Sequence, residues 1–230
     1  VLNICGPKAR DVLASVTDTD LSNRAFPFLA AREIVVGHAP AFAVRMGYVG
    51  ELGWELYIPT EYAGHVCETL KAAGGPHGIR DAGYRAIESC RLEKGYLYWS
   101  ADITPETTPF EAGLKRFVRM DKGPFVGREA LEKQLAAGVP HDFVTIEVHG
   151  VTDADPLGNE PLFYKAGQMI GRATSGYYGH CLKKSLVIGY VKPGYSAVGT
   201  ELEIEVLGER KKATVLVDSP YDPSNADLRA

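Results

Sequence analysis

Several of the commonest functional signatures are missing from this sequence, and each absence excludes a class. The four cysteines, Cys5, Cys67, Cys90 and Cys181, are far apart and form no CxxC pair. In a chain of 230 residues that usage reads as free thiols in a reducing compartment, not as a disulfide framework. The six histidines are dispersed, with no HxxxH or HxH spacing, so no metal site is expected. No apolar run approaches the roughly 18 residues that a membrane-spanning helix needs. Lys and Arg form no basic stripe and the formal net charge is −4, which speaks against nucleic acid or an anionic membrane as a partner. GxSxG, the P-loop and GxGxxG are all absent, which removes support for serine hydrolase, nucleoside-triphosphate and dinucleotide chemistry. There is no internal repeat and no signal peptide. The opening VLNICGPKARDVL starts in mid-strand, without an initiator Met, as a piece of a longer protein would.

What is present reads as two textures. Residues 1–5 form a strand ended by Gly6-Pro7, and KARDVLASV carries apolar residues on one helical face. AREIVVG and AFAVRMGY read as strands, and WELYIP continues the sheet. Residues 60–74 read as a helix capped by Thr60, and about 81–95 as a second helix with Ala82, Ala86, Ser89, Cys90 and Leu92 packed. A Thr/Pro-rich irregular stretch follows over 99–114, then a helix over 126–137. From Phe143 onward six short alternating runs (FVTIEVHG, EPLFYKAG, QMIGRATSG, SLVIGYV, TELEIEVLG and RKKATVLVD) predict a small antiparallel sandwich or barrel. The fold class is therefore α+β, with a mixed α/β portion over 1–140 and an all-β portion over 141–230.

The stretch 43-AVRMGYVGELGWELYIPTE-61 is the densest in chemistry. Strand parity places Trp54, Leu56 and Ile58 on one face, which is core, and Glu55 with Tyr57 on the other. Glu55 has two readings: a solvated acid on a sheet face, or an acceptor for the paired N–H groups of a planar heterocycle such as a 2-amino-4-oxo-pyrimidine. Tyr48 either stacks on such a ring or packs. Gly47, Gly50 and Gly53 permit a tight turn with positive φ. Glu51 reads as a solvated loop acid. In the helix, Arg85/Glu88 and Glu88/Arg91 read as surface pairs, or else one arginine anchors an anionic tail. Asp102, Glu106 and Glu111 lie in the irregular stretch, and Asp102 is a possible general base. His180 and Cys181 are adjacent, which sends them to opposite faces of a strand and argues against a thiol–imidazole pair. Lys183-Lys184 reads as a solvated turn.

Taken together, RMGYVGELGWELYIP, DAGYRAIESCRLEKGY, DITPETTPFEAGL, GREAL and IGRATSGYYGHCLKKSLVIGYV resemble the aminomethyltransferase family typified by the glycine-cleavage T-protein. GELGWEL and HGIRDAGYRAIESCRLEKGY are most similar to its sarcosine and dimethylglycine dehydrogenase branch. The resemblance implies a folate-binding α/β portion and a C-terminal antiparallel β-barrel. It also implies transfer of a one-carbon unit derived from an N-methyl amine to tetrahydrofolate, giving the 5,10-methylene form. Glu55 and Tyr48 match folate-binding positions. Where the T-protein has a helix arginine this chain has Ile87, so Arg85 or Arg91 takes that contact or it is absent. The family's catalytic Asp is expected upstream of Val1, as is an FAD domain. The alternatives are a non-catalytic module like the pyruvate dehydrogenase phosphatase regulatory subunit, or a free-standing T-protein. The compartment is the cytoplasm for a bacterial chain and the mitochondrial matrix for a eukaryotic one.

Overall fold

The computed structural model describes residues 1–151, 154–165 and 167–230. Ala166, in the run EPLFYKAG, lies outside them. The chain divides into two compact units, Val1–Ile87 with Asp222–Ala230, and Glu88–Tyr221.

The first unit is built on a four-stranded antiparallel sheet in the order β1-β4-β3-β2, with β1 Leu2–Cys5, β2 Ala31–Val36, β3 Ala39–Val44 and β4 Gly53–Tyr57. One face carries Ile4, Ile34, Val36, Ala41, Ala43, Trp54 and Leu56. These pack with Val12 and Leu13 of α1 (Ala9–Ala14) and Val66 and Leu70 of α2 (Ala63–Gly74). Each fully buried large side chain contributes about 1.5–3 kcal/mol, so this face holds the unit together. The residues between them in sequence alternate onto the other face, where Phe42 and Tyr57 are 47% and 44% exposed. Thr60 does not cap α2. A 3₁₀ turn, Thr60–Tyr62, precedes it, and Tyr62 stands at the N-cap with no side-chain hydrogen bond.

α3 (Tyr84–Glu93) crosses the division between the units. Its buried residues are Ser89, Arg91, Leu92 and Glu93, whereas Ala82 and Ala86, expected to pack, are exposed. The apolar spacing misled because the buried side is organised by an ion pair, described below. α4 (Arg128–Ala137) has no buried residue.

All six expected strands form. They are β5 Asp142–Val148, β6 Pro161–Tyr164, β7 Gln168–Gly179, β8 Lys184–Val191, β9 Glu201–Val206 and β10 Glu209–Val215. They close into an antiparallel barrel in the order β10-β5-β8-β7-β6-β9, which settles sandwich against barrel. The interior is aliphatic, with Val144, Ile146, Leu162, Ile170, Val187, Val191, Ile204 and Val215 among its members. Closure gives every strand of the barrel a neighbour on both sides. At Gly171 a Cβ would stand 2.0 Å from the Tyr190 carbonyl oxygen, so only glycine lets β7 and β8 approach this closely. The chain ends in α5, Ala226–Arg229, which belongs to the first unit. Among the described residues no helix is long and apolar enough to cross a membrane.

Candidate functional site

β3 and β4 pair through Phe42↔Tyr57, Ala43↔Leu56 and Val44↔Glu55. The connection between them runs over residues 45–52 and is an open loop, longer than the tight turn expected from its glycines. Of the three, only Gly50 has a positive φ, at 79°. Gly53 is needed for another reason: a Cβ there would lie 2.6 Å from the Ile4 carbonyl oxygen on β1.

Parity holds along β4. Trp54 and Leu56 are buried, and Glu55 and Tyr57 share the opposite face. The Tyr57 hydroxyl donates to Glu55 Oε2 at 2.9 Å, and that bond pushes the phenol above its ordinary pKa, helped by the nearby carboxylate charge. Tyr57 therefore stays a donor through neutral pH and fixes the orientation of Glu55. Asn3 stands opposite Glu55 on β1, and Val44 opposite it on β3. Phe42 meets Tyr57 edge-on at 6.3 Å. Beside this aromatic pair opens a groove of about 1040 Å³, lined by Thr17, Asp18, Glu33, Val35, Phe42 and Tyr57 among others. Tyr48 is half-buried in the loop, as is Glu51, which helps raise the Cys5 thiol pKa after burial has raised it most.

The two candidate arginines of α3 differ sharply. Arg85 is exposed. Arg91 is buried, and its guanidinium donates to Glu88 Oε2, the Tyr96 carbonyl, Asp102 Oδ2 at 2.7 Å and Ser175 Oγ. The Glu88–Arg91 pair, read from sequence as a surface pair, is thus internal. Asp102 is 1% exposed and also accepts the Tyr98 N–H and the Thr174 and Ser175 hydroxyls. With three neutral donors and the Arg91 guanidinium around it, this carboxylate anchors the irregular stretch. The Tyr190 hydroxyl donates to the Asp102 carbonyl, and burial pushes that phenol up to about 12. The only sequence hint of this cluster is Gly95, with φ at 70°, which turns the chain back between Arg91 and Asp102.

His180 and Cys181 lie in the turn after β7 and not on a strand. Lys183 is in the same turn, but Lys184 opens β8 and pairs with Glu147 at 2.6 Å. Among the described residues no three His, Cys, Asp or Glu side chains gather as a metal site. Sequence reasoning missed Arg45, which lies buried with its guanidinium carbon 5.7 Å from the centre of the Trp54 ring.

Two family models match this chain: the GCVT N-terminal domain over residues 1–122 and the glycine cleavage T-protein C-terminal barrel domain over residues 142–222. The first alone covers more than half of it. The chain belongs to the glycine-cleavage T-protein (GCVT) family. It is 40% identical to mitochondrial dimethylglycine dehydrogenase of Mus musculus, over 100% of this chain and 26% of that protein. Against the aminomethyltransferase of Thermoanaerobacter sp. (strain X514) it is 34% identical, over 96% of this chain and 59% of the relative. The crystal structure of aminomethyltransferase T from Bartonella henselae superposes with a TM-score of 0.79 at 30% identity, covering 93% of this chain and 57% of that one. This GCVT chain thus spans only about a quarter of its dehydrogenase relative. The barrel match coincides with β5–β10, and the N-terminal match contains the Tyr48–Glu55 hairpin.

Proposed function

We propose that this chain is the tetrahydrofolate-binding aminomethyltransferase portion of a sarcosine- or dimethylglycine-dehydrogenase-like flavoenzyme, divided near residue 140 into a folate-binding part and the barrel. The observation that carries this reading is Glu55. It lies on the open face of the sheet, half-buried, with Tyr57 holding one oxygen at 2.9 Å. A carboxylate offers about four lone-pair sites in one plane, and Tyr57 uses one. The remainder suit the paired donors of a pterin edge, the 2-amino group and the adjacent ring N–H. In this reading Tyr48 lines the pterin pocket beside Glu55. Of the two arginines, exposed Arg85 is available for the anionic glutamate tail, since Arg91 is committed to Glu88 and Asp102.

Tetrahydrofolate accepts the one-carbon unit from an N-methyl amine and leaves as the 5,10-methylene form. This chain's residues bind and orient the acceptor. The FAD-dependent oxidation, and the Asp that the family sets near folate N5 and N10, belong in this reading to portions of the parent outside this chain. Its compartment is the mitochondrial matrix for a eukaryotic parent and the cytoplasm for a bacterial one. The test is calorimetry of reduced folate against the full-length parent and its Glu55→Ala form. Losing the charge-assisted bonds weakens affinity about 10- to 100-fold. Equal affinities remove Glu55 from the site.

A further inference from the structure

Beneath Glu55 the sheet is braced by two arginines that folate recognition does not explain. Arg45, the residue just after β3, is 1% exposed and reaches three main-chain oxygens. Its Nη1 donates to the Phe26 carbonyl at 2.8 Å, and its Nη2 donates to the Arg229 and Ala230 oxygens at 3.1 and 2.7 Å. Arg10, on α1, donates to the same Ala230 oxygen at 2.7 Å and to Asn23. The two guanidinium groups stand 5.7 and 5.8 Å from the centre of the Trp54 ring. Burial, and then the charge of Arg10, push the Arg45 pKa down.

As a device for stability alone this cluster is poorly made. The partners of the two cations are the Phe26, Arg229 and Ala230 main-chain oxygens and the Asn23 side-chain oxygen, and none is an Asp or Glu side chain. Arg10 Nε, Arg45 Nε and Trp54 Nε1 are buried without a hydrogen-bond partner, and each such group lowers stability. Local rules are broken in this way where position matters more than stability. The position at issue is close by. The main chain of Arg45 is held by Leu29 and Ala30, leaving its side chain to make the tie to the last segment. Three residues on is Tyr48, and the Trp54 ring that Arg45 covers sets the strand on which Glu55 stands.

We propose that Arg45 is a positioning residue of the folate site. It ties the segment Asp222–Ala230 to the root of loop 45–52 and thereby sets Tyr48 and Glu55 for the pterin. This rests on the folate reading above. The segment docks through buried Leu228 and through Arg229, which lies 5.9 Å from the Phe28 ring centre. The Asp222 carboxylate shapes it by accepting the Ala226 and Asp227 N–H groups. Lysine keeps the charge at position 45 but has no fork to reach oxygens on two segments at once.

The experiment uses the full-length parent in wild-type, Arg45→Lys, Leu228→Asp, doubly substituted and Glu55→Ala forms. Reduced-folate affinity is measured by calorimetry, and deuterium exchange is followed by peptide. Arg45→Lys and Leu228→Asp each weaken folate about tenfold and speed exchange over 45–52, while peptides of β2 stay protected. The double form is no worse than either single form, because both cut the same tie. Full rescue by lysine, unchanged exchange at 45–52, or losses that multiply in the double form overturn the positioning role. Should Arg45→Lys fail to fold, Leu228→Asp still reads the tie with Arg45 intact. If Glu55→Ala weakens folate while the other forms bind normally, the positioning role alone fails. If wild-type and Glu55→Ala bind alike, the folate reading fails and the inference with it.

Discussion

Asp102 shows how burial changes what a carboxylate means. From sequence it was one of three acids in a Thr/Pro-rich stretch, and a possible base. In the fold it is 1% exposed and surrounded by Arg91, Tyr98, Thr174 and Ser175. Breaking a buried pair by removing one charge costs about 3–5 kcal/mol, because the partner's charge stays behind unpaired. Asp102→Asn is therefore expected to lower unfolding stability by about that amount in urea titrations. A loss below about 1 kcal/mol would show that Glu88 and the surrounding hydroxyls balance Arg91 alone. Glu55 is the opposite case. Its alternation with Trp54 and Leu56 was legible from strand period, but Tyr57 as its orienting donor was not, since parity says which face a residue takes and not which atoms meet.

Elements were read correctly where a single period dominates. The six strands of the barrel and the strands of the first sheet were all read as strands, and all formed. α3 was read correctly as a helix and wrongly for its buried side, because an Arg–Asp pair outcompeted two alanines for burial. The loop 45–52 was misjudged as a tight turn because glycine has more than one use. Gly50 supplies a positive φ, while Gly53 supplies room for the Ile4 carbonyl oxygen. Gly53→Ala tests the second use. Its Cβ would sit 2.6 Å from backbone that cannot swing away, so β1 must shift against β4. The expected cost is about 1–3 kcal/mol, read as a lower thermal midpoint with faster amide exchange in Leu2–Cys5. Unchanged exchange in β1 would mean the strand gives way freely.

At the scale of the whole chain, Tyr190 carries a titration well away from its ordinary value. Its folded pKa, about 12, lies above the ordinary value of 10.0, chiefly through burial. The phenol's contribution is then fully present below pH 10 and is lost as pH rises toward 12. Subtracting the alkaline stability profile of Tyr190→Phe from that of the wild type should leave a fall confined to that window. A flat difference would mean the phenol ionises as it does in the unfolded chain.

The sequence by itself determined the alternating strands, the α+β order, the family and the face on which Glu55 lies, because each of these depends on local periodicity or on motif identity. Only the tertiary structure decided that Arg91 and Asp102 are partners, that α3 buries charge, and that Arg45 spans from Phe26 to Ala230. Those contacts join residues far apart in the chain through single hydrogen bonds. Such bonds leave no period in the sequence, and their energy exists only once the surrounding groups have excluded water.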